Sequence, residues 1–300
     1  MLFRRCLLGL AEIEGSVTVR IANLAGRLVV LVGDTAVDVE KASGGEFTAE
    51  PQAIYGRWND FTGWMSSAQL PAGDTFDLTD LGSPAPSPQQ VLAIGLNYRA
   101  HAAESGFAAP EGEPPVFTKF SSCITGPYVE VTLPAGGHTD WEVELVAVMG
   151  RRAYQVSEAD ALSYVAGYAV GQDLSERKLQ MAATPPQFSL GKSLPGFGPI
   201  GPWLVTLDEL ADPNDLELTC AIDGEQVQSG RTSELIYSVP ALVSKLSASM
   251  PLLPGDVIFT GTPSGVGLGR TPQRWLQPGQ ELVSTIEGIG ELRNRLVAAG

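Results

Sequence analysis

Short apolar runs rich in β-branched residues follow one another along the chain, with glycine and proline between them. Residues 16–45, SVTVRIANLAGRLVVLVGDTAVDVEKASGG, alternate such runs with AGR and VGD turns, which predicts a small antiparallel meander. From residue 91 onward the strand candidates are VLAIGL, YVEVTL, WEVELVAVMG, GYAVGQD, GPWLVT, LELTCAIDGEQVQ, DVIFTGT and QELVSTIEGIGELRNRLV. Helices are predicted over about 98–105, 157–166, 174–183 and 239–249. This pattern predicts a strand-rich α+β fold, not a doubly wound sheet.

A linker separates the meander from the later strands. Residues 46–88 have a mixed pattern, with a helix predicted around YGRWNDFTGWMSSAQ. The segment GSPAPSPQQ that follows contains three prolines among small residues, which is typical of a linker. The sequence therefore predicts a small β-rich N-terminal domain with its linker over residues 1–88, and a second domain over residues 89–300.

The charge balance of the chain argues against two classes of partner. Its 300 residues are 44% hydrophobic, enough for a full core, and 19 basic against 34 acidic residues give a formal charge of −15. This is the wrong sign for binding phosphates or anionic lipid, so we expect neither nucleic acid nor a membrane surface as partner.

The cysteines indicate a reducing, cytoplasmic compartment. Cys6, Cys123 and Cys220 lie far apart and form no CxxC pair, which argues against a disulfide framework or a thiolate zinc site. The N-terminal MLFRRCLLGL resembles the start of a signal peptide, but Glu12 and Glu14 end the apolar run too soon.

Acidic residues occupy every second position of DWEVEL. If this segment is a strand, Asp140, Glu142 and Glu144 share one face, which is usually the solvated face of an edge strand. The continuation LVAVMG is apolar on both faces and predicts a covered strand. Asp173, at the end of another apolar strand, is a helix N-cap if taken alone. Together with Glu142 and Glu144 it would form an all-oxygen site for magnesium, manganese or calcium.

Histidine is rare, and one of the two is placed for acid–base chemistry. His101 and Glu104 are three residues apart in a predicted short helix, so their side chains share a face. The pair is either a surface contact or a general base in which the carboxylate orients the imidazole. His138, in the loop AGGHTD, has no evident partner and is expected to be solvated.

Cations and a glycine-rich turn follow the acidic segments. Arg177 lies one helical turn after Asp173, and Lys192 lies in SLGKSLPGF; each is either solvated or suited to an anionic substrate. Gln180 adds a neutral hydrogen-bonding group. The turn FTGTPSGVG, centred on Thr262, lacks the spacing of a phosphate-binding loop. It is either an ordinary turn or one whose hydroxyl and backbone N–H groups bind a substrate carboxylate.

Five segments in this order resemble the fumarylacetoacetate hydrolase family over about residues 90–297: GLNYRAHAAESG, DWEVELVAVMG, GYAVGQDLSERKLQ, GKSLPGFGPIGPW and IFTGTPSGVG. The chain looks like an acylpyruvate-hydrolase-like bacterial member, and its N-terminal meander resembles the small extra domain that many bacterial members carry. The resemblance implies a catalytic domain of mixed β-sandwich-like roll architecture, usually homodimeric, that binds magnesium, manganese or calcium.

The resemblance also implies a role for nine residues. Three fall on the metal ligands, namely Glu142, Glu144 and Asp173. The water-activating dyad falls on His101 and Glu104, and the oxyanion-stabilising lysine on Lys192. The positions that hold the 2-oxo acid end of the substrate are Arg177, Gln180 and Thr262. Asp140 matches no ligand position.

Three departures from the family pattern concern the substrate and leave the metal ligands and the dyad intact. Ser193-Leu194-Pro195-Gly196 stands where Ser-Phe-Asp-Gly is common. Gln172 stands where asparagine is common, and Lys178 where aspartate is frequent.

The function implied is a metal-dependent hydrolase that cleaves the C–C bond of a 2,4-dioxo acid, giving a carboxylic acid and a pyruvate-type product from a small anionic 2-oxo acid. The same residues would also serve an oxaloacetate decarboxylase, or an isomerase or hydratase of dienoic 2-oxo acids. A metal-stabilised binding protein without activity is the third alternative, and the complete dyad and lysine argue against it.

Overall fold

The computed structural model describes residues 20–300, which form eighteen strands, several of them very short. The strands are β1 (Arg20–Leu24), β2 (Arg27–Val32), β3 (Thr35–Asp38), β4 (Leu81–Gly82), β5 (Val91–Ile94), β6 (Val116–Thr118), β7 (Ile124–Thr125), β8 (Glu130–Leu133), β9 (Thr139–Asp140), β10 (Val143–Met149), β11 (Val165–Gln172), β12 (Ser175–Glu176), β13 (Gly198–Val205), β14 (Glu217–Ile222), β15 (Glu225–Arg231), β16 (Val257–Phe259), β17 (Glu281–Ile286) and β18 (Gly290–Ala298).

Helices are short and lie between the strands. They are α1 (Val39–Ala42), α2 (Trp58–Met65), α3 (Arg99–Glu104), α4 (Arg177–Gln180), α5 (Phe188–Gly191) and α6 (Val239–Ser249). Single 3₁₀ segments lie at Pro51–Arg57, Leu78–Asp80, Ser121–Cys123, Ala161–Tyr164, Leu207–Glu209 and Thr232–Glu234. No helix within residues 20–300 is long and apolar enough to cross a bilayer.

Most predicted elements are confirmed. Every strand candidate after residue 91 contains at least one strand, and LELTCAIDGEQVQ forms the hairpin of β14 and β15. The helix over 239–249 coincides with α6, whose N-terminus is capped by the Ser238 hydroxyl. The meander is confirmed from residue 20 onward. Its first four residues, the signal-like N-terminus and Cys6 lie outside the described residues.

Two helix predictions are wrong in extent. Within 157–166 the only helical segment is a 3₁₀ turn. The last two residues belong to β11, which begins at Val165 and pairs with β10. Within 174–183 the helix is limited to α4, because β12 pairs with β9 first. Tertiary pairing overrides local helix periodicity in both segments.

Two sheets form the strand-rich α+β body. The larger sheet runs in the order β3-β2-β1-β13-β11-β10-β16-β5-β6, and the smaller one runs β15-β14-β17-β18-β8. One apolar core lies between them, where Leu145 and Val170 of the larger sheet join the same cluster as Leu218 and Leu292 of the smaller. This arrangement agrees with the expected mixed β-sandwich-like roll.

The N-terminal meander continues the larger sheet, because β1 pairs with β13 through Arg20 and Ile21. A second apolar cluster covers the outer face of this sheet, where Tyr55, Trp58 and Phe61 pack with residues of β10 and β16. The predicted boundary near residue 88 falls between β4 and β5, and the division into residues 1–88 and 89–300 stays a prediction.

The acid-bearing strand lies in the interior of the larger sheet. β10 pairs with β11 on one side and with β16 on the other, and all seven of its residues are buried. The edge-strand interpretation of the acidic stripe is therefore wrong, because both sheet faces and both strand edges are covered. Asp140, Glu142 and Glu144 are each at most 4% exposed.

The Asn97→Ala variant should lose about 3 kcal/mol of unfolding free energy. The buried Asn97 amide donates to the carbonyls of Tyr237 and Thr260 and accepts from the Tyr237 N–H, so truncation leaves buried backbone groups unpaired. Urea unfolding measures the change. The matched control is Asn59→Ala, at an exposed position of α2, with an expected change within about 0.5 kcal/mol. Equal effects in both variants would contradict this role for Asn97.

Candidate active site

Three buried carboxylates converge where β10 and β11 lie side by side. One oxygen from each of Glu142, Glu144 and Asp173 lies within 4.8 Å of the others. Antiparallel pairing produces this convergence, because Glu144 pairs with Gly171 and the Asp173 N–H donates to the Glu142 carbonyl at 2.9 Å. Glu142 and Glu144, two residues apart, thus lie next to Asp173, which directly follows the neighbouring strand β11.

Three buried cations form ion pairs with two of these carboxylates, Glu142 and Asp173. Lys192 Nζ donates to Glu142 and to Asp173, at 2.6 Å each. The Arg177 guanidinium donates to Glu142 at 2.6 Å and to Asp140 at 2.9 Å. The resulting chain of ion pairs joins the end of β9, the start of β10 and the end of β11.

Lys119 is the third cation, and the sequence analysis missed it. Its Nζ donates to Asp173 at 2.6 Å, to the Phe197 carbonyl at 3.1 Å, and to the Lys192 carbonyl. All three ammonium protons therefore have acceptors. The sequence does contain one indication of this buried lysine, because Lys119 is the only charged residue between Glu113 and Glu130. A single lysine in such a stretch indicates a buried partner.

Burial and the surrounding charges shift the pKa values of Glu142 and Glu144 in opposite directions. Burial opposes ionisation of Glu142, but Lys192 and Arg177 outweigh it and hold the pKa of this carboxyl below its usual range. For Glu144, burial and the neighbouring charges of Asp173 and Glu142 raise the pKa well above its ordinary value. Burial lowers the pKa of Lys192, but Asp173 and Glu142 outweigh it, and the net shift is upward.

The donor set fits a hard divalent cation. Glu142, Glu144 and Asp173 offer oxygen atoms alone, the type that magnesium, manganese and calcium prefer. Within residues 20–300 the Glu144 carboxylate accepts a single hydrogen bond, from the Gly261 N–H at 2.7 Å. With Asp140, four carboxylates lie among three cations, a net charge of minus one when all four are ionised. A divalent cation bound to this ionised form would change the net charge to plus one, which suits an anionic substrate.

Asp140 supports the site from outside the triad. One oxygen accepts from the N–H groups of Trp141 and Gly267, and the other from Leu268 and from Arg177. Each oxygen of the Asp140 carboxylate thus accepts two hydrogen bonds from protein donors. Asp140 fixes Arg177 and the loop after Thr262, and its contacts agree with its exclusion from the ligands.

The predicted dyad forms. His101 Nδ1 lies 2.9 Å from Glu104 Oε1, and both Glu104 oxygens accept from the Gly265 N–H. Because Glu104 is held as an acceptor, we assign the ring proton of neutral His101 to Nδ1, which leaves Nε2 free to accept a proton. His101 lines the same cleft as Glu142 and Glu144. The structure thus brings His101 into the cleft that the two glutamates of the triad line.

The residues predicted to hold the substrate line this cleft too, with differing contacts. Arg177, Gln180 and Thr262 are among its lining residues, together with Lys192. Arg177 donates to Gln180 Oε1 at 2.9 Å. The Thr262 hydroxyl donates to the Val143 carbonyl and accepts from Gln228. Its contribution to substrate binding stays a prediction.

The glycine-rich turn, which the sequence left open as an ordinary turn or a carboxylate-binding one, bonds carboxylates of the protein. The N–H groups of Gly261, Gly265 and Gly267 donate to Glu144, Glu104 and Asp140. The turn thus fixes the positions of three carboxylates at once.

His138 is half-buried, contrary to the expected solvated position. Its ring stacks on Trp275 with the centroids 4.7 Å apart, and its carbonyl accepts from the Arg177 N–H. Of the family departures, Gln172 is buried, accepts from the Glu142 N–H and donates to Ser284. Lys178 is exposed and donates to the Gly136 carbonyl.

Residues 90–297 match the family model described as fumarylacetoacetate (FAA) hydrolase C-terminal. This match covers more than two thirds of the chain and includes every site residue described above. The chain therefore belongs to the fumarylacetoacetate hydrolase family.

Individual relatives differ in the reactions their names state. The human mitochondrial oxaloacetate tautomerase FAHD2A is 41% identical over 232 residues, 77% of this chain and 73% of the relative. A crystal structure from Mycobacterium smegmatis is 55% identical with a TM-score of 0.91, over 94% of this chain and 100% of that one. Maleylpyruvate hydrolase from Sphingobium sp. SYK-6, solved with manganese(II) and pyruvate, is 27% identical with a TM-score of 0.74, over 94% and 100%.

Manganese binding should release a proton from Glu144. A cation needs the ionised carboxylate, so apparent affinity should fall up to about tenfold per pH unit below the raised pKa of Glu144 and level off above it. Calorimetry between about pH 5 and pH 8, in buffers of different ionisation enthalpy, counts the proton. In the control Glu144→Gln, binding should be weaker and lose this pH dependence. Binding of manganese without proton release throughout that range would contradict the prediction.

Replacing Lys119 by Met should cost about 3–5 kcal/mol of unfolding free energy, the scale for breaking a buried ion pair. Asp173 would keep Lys192 but lose a buried donor, the Lys192 carbonyl would lose its ammonium donor, and the Phe197 carbonyl would keep only the Leu174 N–H. Urea unfolding measures the change. The exposed Lys178→Met variant is the control, with an expected loss below about 0.5 kcal/mol. A comparable loss at both positions would argue against a special role of Lys119.

Proposed function

We propose that this protein is a divalent-metal-dependent hydrolase of a 2,4-dioxo acid, producing a carboxylic acid and a pyruvate-type acid. The observation that carries the proposal is one cleft lined by His101, Glu142, Glu144 and Lys192. Glu104 bonds His101 behind this lining, and Asp173 completes the carboxylate triad with the two glutamates. A water-activating base, a cation site and an oxyanion-stabilising ammonium are the parts that such a cleavage requires.

The 2-oxo acid end of the substrate lies against the triad. Glu142, Glu144 and Asp173 would hold a divalent cation, which would supply Lewis acidity to that end when bound. Arg177, buried and fixed by Asp140, adds charge-assisted hydrogen bonds, and Gln180 adds a neutral one. A related maleylpyruvate hydrolase was solved with manganese(II) and pyruvate, which supports a divalent cation and a 2-oxo acid as ligands.

His101 and Lys192 act on the distal carbonyl. His101 Nε2 takes a proton from water while Glu104 stabilises the imidazolium, and the water oxygen forms a bond to the distal carbonyl carbon. Lys192 Nζ donates to the oxyanion that develops there. The bond between this carbon and the adjacent methylene carbon then breaks. Its electron pair stays with the methylene carbon, which takes the proton from His101, and a carboxylic acid and pyruvate result.

A tautomerase of a 2-oxo acid is the second candidate, because the 41% identical human relative is named an oxaloacetate tautomerase. His101 would then move a proton between the methylene carbon and the keto oxygen, without attack by water and without C–C cleavage. Decarboxylation of oxaloacetate, or isomerisation or hydration of a dienoic 2-oxo acid, would use the same residues to bind the 2-oxo acid end. These reactions can be distinguished by their products.

The deciding experiment follows acetylpyruvate with manganese or magnesium, and then with excess chelator. Loss of the enol absorbance together with equimolar pyruvate and acetate, abolished by the chelator, is the expected result. Rapid equilibration of oxaloacetate between its keto and enol forms without pyruvate from acetylpyruvate would favour the tautomerase. Release of carbon dioxide from oxaloacetate would favour the decarboxylase. Homodimeric assembly stays a prediction that sedimentation tests.

Replacing His101 by Ala should reduce turnover of acetylpyruvate by about 10²-fold or more, the usual contribution of a general base. Manganese affinity should stay nearly unchanged, since His101 contributes no ligand to the triad. Steady-state kinetics and calorimetry measure the two quantities.

The matched control is His138→Ala, because the ring of His138 stacks on Trp275 and does not line the cleft. We expect this variant to keep turnover within about threefold of wild type, the scale of a substitution away from the chemistry. Equal activity of the His101 variant and wild type would exclude the dyad from the reaction.

A further inference from the structure

We infer that the acyl tail of the substrate is apolar and that four side chains form its binding surface. This surface, the tail wall, consists of Phe107, Phe117, Met181 and Phe188. The inference rests on the proposed function, because it assumes that the cleft binds a 2,4-dioxo acid with its 2-oxo acid end on the triad.

The tail wall begins beside the reacting carbonyl. Lys192 Nζ, which the proposed reaction directs at the distal carbonyl oxygen, lies 5.1 Å from the centre of the Phe117 ring. The acyl tail is bonded to that same carbonyl carbon. A tail that leaves the carbonyl therefore meets Phe117 first.

Phe117 and Phe188 form a fixed aromatic surface. Their rings pack edge to face with the centroids 5.5 Å apart. The Thr118 and Ser189 hydroxyls, one residue further along each segment, lie 3.3 Å apart, which links β6 to α5. The Phe120 N–H donates to Ser193 Oγ at 2.9 Å, within the segment that departs from the family pattern. The wall is thus held in place from two sides.

Phe107 and Met181 extend this surface towards the mouth of the cleft. Phe107 follows the dyad helix, and its N–H donates to the Ala102 carbonyl. In the structure 49% of Phe107 and 39% of Met181 are exposed, although both are large and apolar. Contiguous exposed apolar side chains at the mouth of a cleft are typical of a ligand-binding surface.

The charges of the cleft disfavour a second carboxylate on the tail. Among the described residues that line it, Arg177 and Lys192 are the only lysine or arginine side chains. Both are ion-paired with Glu142, at the end of the cleft where the proposed function places the 2-oxo acid group. A carboxylate on the tail wall would therefore lose water without gaining a cation, which is costly. An alkyl or aryl tail would instead gain from burial.

The test compares two substrates of the same shape. Isocaproylpyruvate and succinylpyruvate differ in that an isopropyl group replaces a terminal carboxylate. With manganese, kcat/KM should favour isocaproylpyruvate by at least about tenfold, and each added methylene of a straight acyl chain should raise it about threefold to fourfold. Equal values for the two substrates, or a preference for succinylpyruvate, would overturn the inference.

A charge placed on the wall should change this preference. Met181→Lys should shift the ratio of the two kcat/KM values towards succinylpyruvate by about tenfold, the scale of one new ion pair in a partly buried site. Leu179→Lys is the matched control, because Leu179 lies in α4 two residues before Met181 and is 38% exposed, but does not line the cleft. The same shift in both variants would mean that general charge, not the wall, sets the preference.

Affinity separates this inference from the proposed function. Binding of both compounds to the His101→Ala protein with manganese, measured by calorimetry, tests the tail wall without any turnover. If acetylpyruvate is not cleaved but isocaproylpyruvate binds more tightly than succinylpyruvate, the hydrolase proposal fails and the tail wall stands. If acetylpyruvate is cleaved and the two affinities are equal, the hydrolase proposal stands and the tail wall fails.

Discussion

Burial of charge is the constraint on which the rest of this structure depends. Four carboxylates and three cations are buried, each at most 6% exposed, where an unpaired charge would be very costly. They are stable there because every one of them except Glu144 has several charged or hydrogen-bonding partners. The contacts run from Asp140 through Arg177, Glu142 and Lys192 to Asp173 and Lys119. Glu144 accepts a backbone N–H instead of a cation, and its raised pKa marks it as the group that a divalent ion would affect most.

One glycine-rich segment places most of this network. Within Gly261–Leu268, backbone N–H groups donate to Glu144, Glu104 and Asp140, and the Thr262 hydroxyl bonds the start of β10. A side chain at Gly265 or Gly267 would meet backbone atoms nearer than 3 Å, so close approach requires glycine there. The same segment therefore bonds Glu104 of the dyad, Glu144 of the triad and Asp140, which holds Arg177. Their relative positions depend on the backbone, which side-chain substitution elsewhere changes little.

The cleft has two ends of opposite character. Its charged end contains Glu142, Glu144, Arg177 and Lys192. The other end is formed by apolar side chains of β6, α5 and the loop after α3, and β6 and α5 lead directly into Lys119 and Lys192. Family membership identifies the charged end, whereas the named reactions of the relatives differ.

Local pattern and motif order in the sequence were enough to identify the strands, the helix at 239–249, the α+β class and nine candidate site residues. Alternation in DWEVEL places Glu142 and Glu144 on one face because strand geometry has a period of two. Long-range pairing decided the rest. Whether that face was solvated depended on β11 and β16 covering β10, and the role of Asp140 depended on a loop more than a hundred residues away. Lys119 gave only a weak signal, because a lysine is exposed or buried according to the partners that the fold brings to it. Periodicity is a property of neighbouring residues, whereas the pairing of distant charges is a property of the folded chain.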